Sequence, residues 1–135
     1  MSLKEKRLLS LKEIDGPQTP HDAFLKRAID LRVEALGHIN NASKLADYLG
    51  SEIESLGLGE DWAIKKEIFP GIEIHFIYRG ANEEFPGSLS VLYGGPKISK
   101  NKGEDLVEIT IACLNHMLRY VRETTDNPSE ICTRV

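Results

Sequence analysis

The apolar positions of this chain change period twice. Between residues 20 and 57 they recur every three or four residues. Between 62 and 93 they alternate, and from 104 to 124 the helical spacing returns. The first stretch opens at Thr19-Pro20, with a hydroxyl that can cap and a proline suited to the first helical position. Asp22 follows in the first turn, where the positive end of the helix favours an acid. Phe24, Leu25, Ala28, Leu31, Ala35 and Leu36 share one face, Lys26, Arg27, Asp30 and Glu34 fill the other, and Gly37 stops the helix. The next helix starts at Asn40 or Asn41, buries Ala42, Leu45, Ala46, Tyr48, Leu49, Ile53 and Leu56, and ends at Gly57. The short link Gly37-His38-Ile39-Asn40 makes the two a hairpin. Upstream, Ser2 and Glu5 stand at capping-box spacing before a short helix over 3–14, which Asp15-Gly16-Pro17-Gln18 ends.

The alternating stretch predicts three strands: Trp62–Ile64 with Ile68-Phe69, Ile72–Tyr78 and Leu89–Tyr93. Phase sets their pairing, because a slip of one residue turns every side chain over. Tyr78 opposite Leu89, Phe76 opposite Val91 and Ile74 opposite Tyr93 yields one apolar face. At Phe69-Pro70-Gly71 a two-residue turn would mix the faces. An odd loop or a bulge at Gly71 is expected instead, aligning Ile68 with Ile72 and Ile64 with Phe76. Gly94-Gly95-Pro96 ends the sheet and 97–103 is a polar loop. The last helix, Glu104–Thr124, buries Leu106, Ile109, Thr110, Cys113, Leu114, Met117, Leu118 and Val121. Asp105, Glu108, Asn115, Arg119 and Arg122 form its wet face. The fold class is therefore α+β: an N-terminal helical hairpin, a three-stranded antiparallel meander, and a long C-terminal helix packed on the sheet. One domain spans 1–135, with 1–19 a flexible or short helical arm, 20–125 the globular core and 126–135 a mobile tail.

Three segments carry a family resemblance: Phe69-Pro70-Gly71-Ile72, Gly80-Ala81-Asn82-Glu83-Glu84-Phe85-Pro86-Gly87 and Leu89-Ser90-Val91-Leu92-Tyr93. Together they resemble the C-terminal part of an uncharacterised prokaryotic family whose members carry an acidic G-x-x-E-E-F-P turn before an apolar strand. Members occur in bacteria and archaea, and some are fused to iron–sulfur modules. The resemblance implies a bacterial or archaeal source and supplies no catalytic residue. Cys113 and Cys132 are the only cysteines, so no cluster here matches an iron–sulfur module.

Hydrophobic residues at 41% and charged residues at 28% suit a soluble globular domain, and no apolar run approaches the ~20 residues of a membrane span. A net charge of −4 argues against nucleic acid, whose phosphates demand a cationic surface. Two cysteines cannot build a disulfide framework, and the N-terminal stretch has no apolar core of signal-peptide length. Both features lead to the expectation of a cytoplasmic protein.

Candidate chemistry is sparse. Lys97, Lys100 and Lys102 precede a helix N-terminus and form a candidate anion site, although the segment is not a Walker loop and Glu104 and Asp105 would repel phosphate. Glu73 and His75 share a strand face, and His116 lies on the last helix. The apolar face is the expected docking surface for that helix, so no metal site or cofactor is assigned. Cys113 lies mid-helix with no activating charge, and there is no G-x-S-x-G elbow. The segment Ser43–Gly50 has a faint likeness to the first helix of a helix-turn-helix, but the acidic Ser51-Glu52-Ile53-Glu54-Ser55 follows where a basic helix is needed. The second sheet face is unusually mixed. Glu73, His75, Ile77, Arg79, Ser90 and Leu92, with Trp62 at the margin, form a candidate interface, and a three-stranded sheet leaves two open edges. The expectation is a non-enzymatic binding or assembly domain acting as a homodimer. The rival is a small-molecule or anion-binding protein or enzyme with a pocket near 97–103 and the last helix.

Overall fold

A computed structural model describes residues 8–98 and 102–135. Among the described residues, five α-helices flank one sheet. Helix α1, Leu11–Asp15, starts from a capping box in which Ser10 Oγ accepts from Glu13 N and Glu13 Oε1 accepts from Ser10 N. The Ser2/Glu5 box lies outside the described residues. Helix α2, Pro20–Asp30, begins as its sequence predicts, with Thr19 Oγ1 accepting from His21 N at 3.2 Å.

α2 does not run on to Gly37. It breaks at Leu31-Arg32, and a single turn, α3 (Val33–Leu36), follows. The cause is the Arg32 side chain, which donates to the Ala28 carbonyl at 2.9 Å and to Asn115 Oδ1 at 3.0 Å. It takes the carbonyl that a continuing helix would use, and it draws Asn115 off the wet face expected for it. The buried stripe shifts accordingly to Leu25, Ala28 and Ile29, while Phe24 and Leu31 are exposed.

Helix α4, Ala42–Leu49, is capped by Asn41, whose Oδ1 accepts from Lys44 N at 3.0 Å. It ends at Gly50, not Gly57. Gly50 adopts φ +65°, a left-handed conformation that costs glycine nothing, and the Ser51 amide turns back to the Ala46 carbonyl at 2.8 Å. The released chain forms an additional strand, β1 (Glu52–Glu54). The sheet therefore has four strands, in order β1, β2 (Trp62–Phe69), β3 (Ile72–Arg79) and β4 (Ser88–Gly94), all antiparallel.

The β3–β4 register pairs Ile74 with Tyr93, Phe76 with Val91 and Tyr78 with Leu89, as the side-chain phase requires. In β2–β3, Ile64 faces Phe76. The irregularity falls between Glu67 and Phe69, and Phe69 faces Ile72. The extra residue is thus Ile68, in the strand, and Pro70-Gly71 closes a tight turn. A bulge at this point keeps Ile64, Ile74 and Phe76 on one face.

The long helix α5, Gly103–Thr124, lies over that face. α2, α3 and α4 each pack on α5, so the two N-terminal helices do not form a free-standing hairpin. One core joins Leu25, Leu36, Leu45, Ile64, Phe76, Leu106, Leu114 and Met117. Sheet and helix are also tied by a hydrogen bond at 2.8 Å between the buried Tyr93 and Thr110 hydroxyls. Thr110 in turn donates to the Leu106 carbonyl at 2.6 Å. The tail expected to be mobile is docked. Residues Glu130–Arg134 form a 3-10 turn, Cys132 is buried against Ala35, Leu118 and Val121, and Arg122 donates to the Val135 oxygen at 2.7 Å.

The centre of the sheet's far face is covered by the chain itself. The segment joining β1 to β2 lays Leu56 on Ala63 and Ile77, with Leu58 and Leu92 beside it. Glu60 fastens that segment, its carboxylate accepting from Leu56 N and Leu58 N at 2.7 Å each, and Arg79 donates to the Leu58 carbonyl at 3.0 Å.

Candidate small-molecule site

Sequence reasoning placed Trp62 at the margin of the far face. The register instead sets it directly opposite Tyr78, on the face that the helices cover. The two rings stack, with centroids 5.1 Å apart and planes 20° from parallel. They line a cleft of about 650 Å³ between the α3 turn, the 37–39 link, the head of β2 and the Gly80–Gly87 loop. Val33, Ile39, Ala81 and Pro86 supply apolar walls and Glu34 and Asp61 carboxylates, and among the described residues no Lys, Arg or His lines it. The volume falls in the range of ligand sites.

Asp61 is held from both sides. Its amide donates to the Tyr78 carbonyl at 2.8 Å, and its carboxylate accepts from Gly80 N at 2.5 Å. A Cβ on residue 80 would lie 2.6 Å from that same carboxylate oxygen, so only glycine allows the clamp. Burial, and then the Asp61 charge, push the Tyr78 hydroxyl above its ordinary pKa, so it remains a neutral donor. The Trp62 side chain is 8% exposed, and its Nε1–H is sealed from solvent without a partner. Leaving such a donor unmatched costs on the order of 1–3 kcal/mol.

The other residues singled out in the sequence are distributed differently. Ile77 is 1% exposed beneath Leu56, so it is no contact centre for another chain. His75 is buried, with Nδ1 2.6 Å from Glu54 Oε1. Glu73 pairs with Lys65 at 3.6 Å, and Lys65 also reaches Glu52 at 3.5 Å. Arg79 secures the Leu58 carbonyl, Leu92 joins the Leu56 cluster, and Ser90 borders a groove beside β4. Six of the seven residues therefore share the far face, but its centre is already occupied. Lys97 is exposed, Lys102 caps α5 without a side-chain bond, and Lys100 lies outside the described residues. Neither Lys97 nor Lys102 lines the large cleft.

His116 lies across the sheet from His75, its ring tilted by 49° against that of Tyr48 with centroids 4.7 Å apart. With Cys113 and Lys66 it lines a second cleft of about 390 Å³. Burial raises the Cys113 thiol pKa, and burial, then Arg119 and Lys66, lower that of His116. Both groups are neutral near pH 7, so no thiolate–imidazolium pair forms there. Among the described residues, no group of three or more His, Cys, Asp or Glu is placed to hold a metal, and no helix is long and apolar enough to cross a membrane.

Glu34, Asp61, Tyr78 and the paired glycines escaped sequence reasoning. The available signals were the chain's single tryptophan directly after Asp61 and a long loop bounded by Gly80 and Gly87. The chain matches no family model, no curated protein and no solved structure.

Proposed function

We propose that this protein is a small-molecule-binding domain whose site is the cleft over Trp62 and Tyr78. The observation that supports this reading is a cleft of about 650 Å³ lined by the stacked Trp62 and Tyr78 rings, with the buried Trp62 indole N–H left without a partner. Natural sequences rarely leave such a donor buried and unmatched unless something else satisfies it. This site lies at the opposite end of β3 from the anion pocket expected near 97–103. The test is ligand-observed NMR with a set of small aromatic fragments on the wild-type chain and on Gly87→Leu. A Cβ at residue 87 meets the Tyr78 hydroxyl at 3.4 Å, so a leucine there fills the mouth of the cleft. Fragments should bind the wild type and lose binding in Gly87→Leu, with the thermal midpoint retained. No binding at all, or binding that survives Gly87→Leu, contradicts the proposal.

A second reading, self-association, draws on the outer edge of β4. Leu9 pairs with Tyr93 there, through bonds of 2.7 and 2.8 Å. By strand alternation Leu89 and Val91 also turn their amides and carbonyls outward, beside a groove of about 300 Å³ lined by Leu25 and Ile29 of α2. A second copy's extended segment is the occupant this reading invokes. Native mass spectrometry should then give a dimer, and a monomer at all concentrations counts against it.

A further inference from the structure

The charge of the cleft narrows what it takes. Among the described residues lining it, only Glu34 and Asp61 are charged, and both are acids. A phosphate, sulfate or carboxylate entering would meet two negative charges and no base. The rings beneath carry the opposite preference, because the face of an indole or phenol attracts a cation. Glu34 is exposed, while Asp61 is fixed by the Gly80 amide. Acidic rim and aromatic floor thus favour the same partner.

Resting on the reading of this cleft as a ligand site, we infer that its ligand class is organic cations: an amine or quaternary ammonium head on an aromatic or short aliphatic body. The head sits over Trp62 and Tyr78 beside the two carboxylates. The apolar body lies against Val33, Ile39 and Pro86. A zwitterion with a free carboxylate is disfavoured, since nothing in the lining neutralises it.

Trp62 is the only tryptophan in the chain, so its emission reports on this site alone. The experiment titrates three probes that share a phenyl body and differ in charge: benzyltrimethylammonium, benzyl alcohol and benzoate. Each is run against the wild type and against the double variant Glu34→Gln, Asp61→Asn. The asparagine keeps an oxygen for the Gly80 amide, so the clamp survives. The cation should bind at least about fivefold more tightly than the alcohol, and benzoate least. In the double variant that preference should fall to about twofold or less, with binding of the alcohol unchanged. Equal or tighter binding of the alcohol or benzoate to the wild type overturns the cation inference but leaves the cleft as a ligand site. A cation preference that persists in the double variant overturns the role of the two acids. No change in Trp62 emission with any probe, in a chain that melts normally, overturns the ligand-site reading itself.

Discussion

Tyr93 shows how a single residue ties layers together. Its backbone holds Leu9, its ring fills the core, and its hydroxyl meets Thr110 on α5. Thr110 spends its proton on the Leu106 carbonyl, so the Tyr93 hydroxyl is the donor of the pair. Burial pushes its pKa up to about 12, so the group is protonated at neutral pH. Tyr93→Phe keeps the ring and removes one hydrogen bond. It should cost about 1 kcal/mol in urea denaturation, with an unchanged slope. A neutral result would mean that the hydroxyl pair does not couple sheet and helix.

At the scale of elements, two short segments decide what the sheet exposes. The Leu56–Glu60 segment covers Ile77, and the Glu60 carboxylate accepts its amides. Those backbone hydrogen bonds, led by that from Leu56, set the Glu60 pKa below its usual 4.5. As pH falls, the unfolded chain takes up the proton first. The segment's stabilisation is complete above the ordinary carboxylate range and is lost as pH drops through the lowered folded value. Glu60→Ala should speed amide exchange at Leu56 and Leu58 by at least about tenfold at neutral pH, leaving β3 protected. Unchanged exchange at both amides would contradict this clamp. The C-terminal turn is held by Arg122. In Arg122→Ala, Cys132 should react with a thiol reagent at least about tenfold faster, while Cys113, on the buried side of α5, keeps its rate. Equal rates for Cys132 in both chains would show that its apolar contacts suffice.

These elements also mark where the sequence was legible. The β3–β4 register could be read because Ile74, Phe76 and Tyr78 alternate without interruption against Leu89, Val91 and Tyr93. The length of α4 could not. Ile53 and Leu56 continue its helical spacing, yet Gly50 turns the chain, and three residues of β1 are too few to show a period of their own. Arg32 broke α2 through a bond to Asn115, 83 positions away, and no local pattern records such a contact.

For the whole molecule, helices cover one sheet face, a looped segment covers the centre of the other, and a cleft remains where the layers part at the ends of β2 and β3. That cleft was illegible because Glu34, Asp61, Tyr78 and Gly87 reach it from four separate segments, each ordinary on its own. The central claim is that the gap is a binding site and not a packing defect. One tryptophan gives one indole N–H resonance, so a ¹⁵N–¹H spectrum recorded while benzyltrimethylammonium is added tests it most directly. The account predicts that the Trp62 indole peak shifts together with the Gly80 and Gly87 amides, saturating at a single Kd of about 1 mM or tighter. An indole peak that stays in place while amides elsewhere move would contradict it.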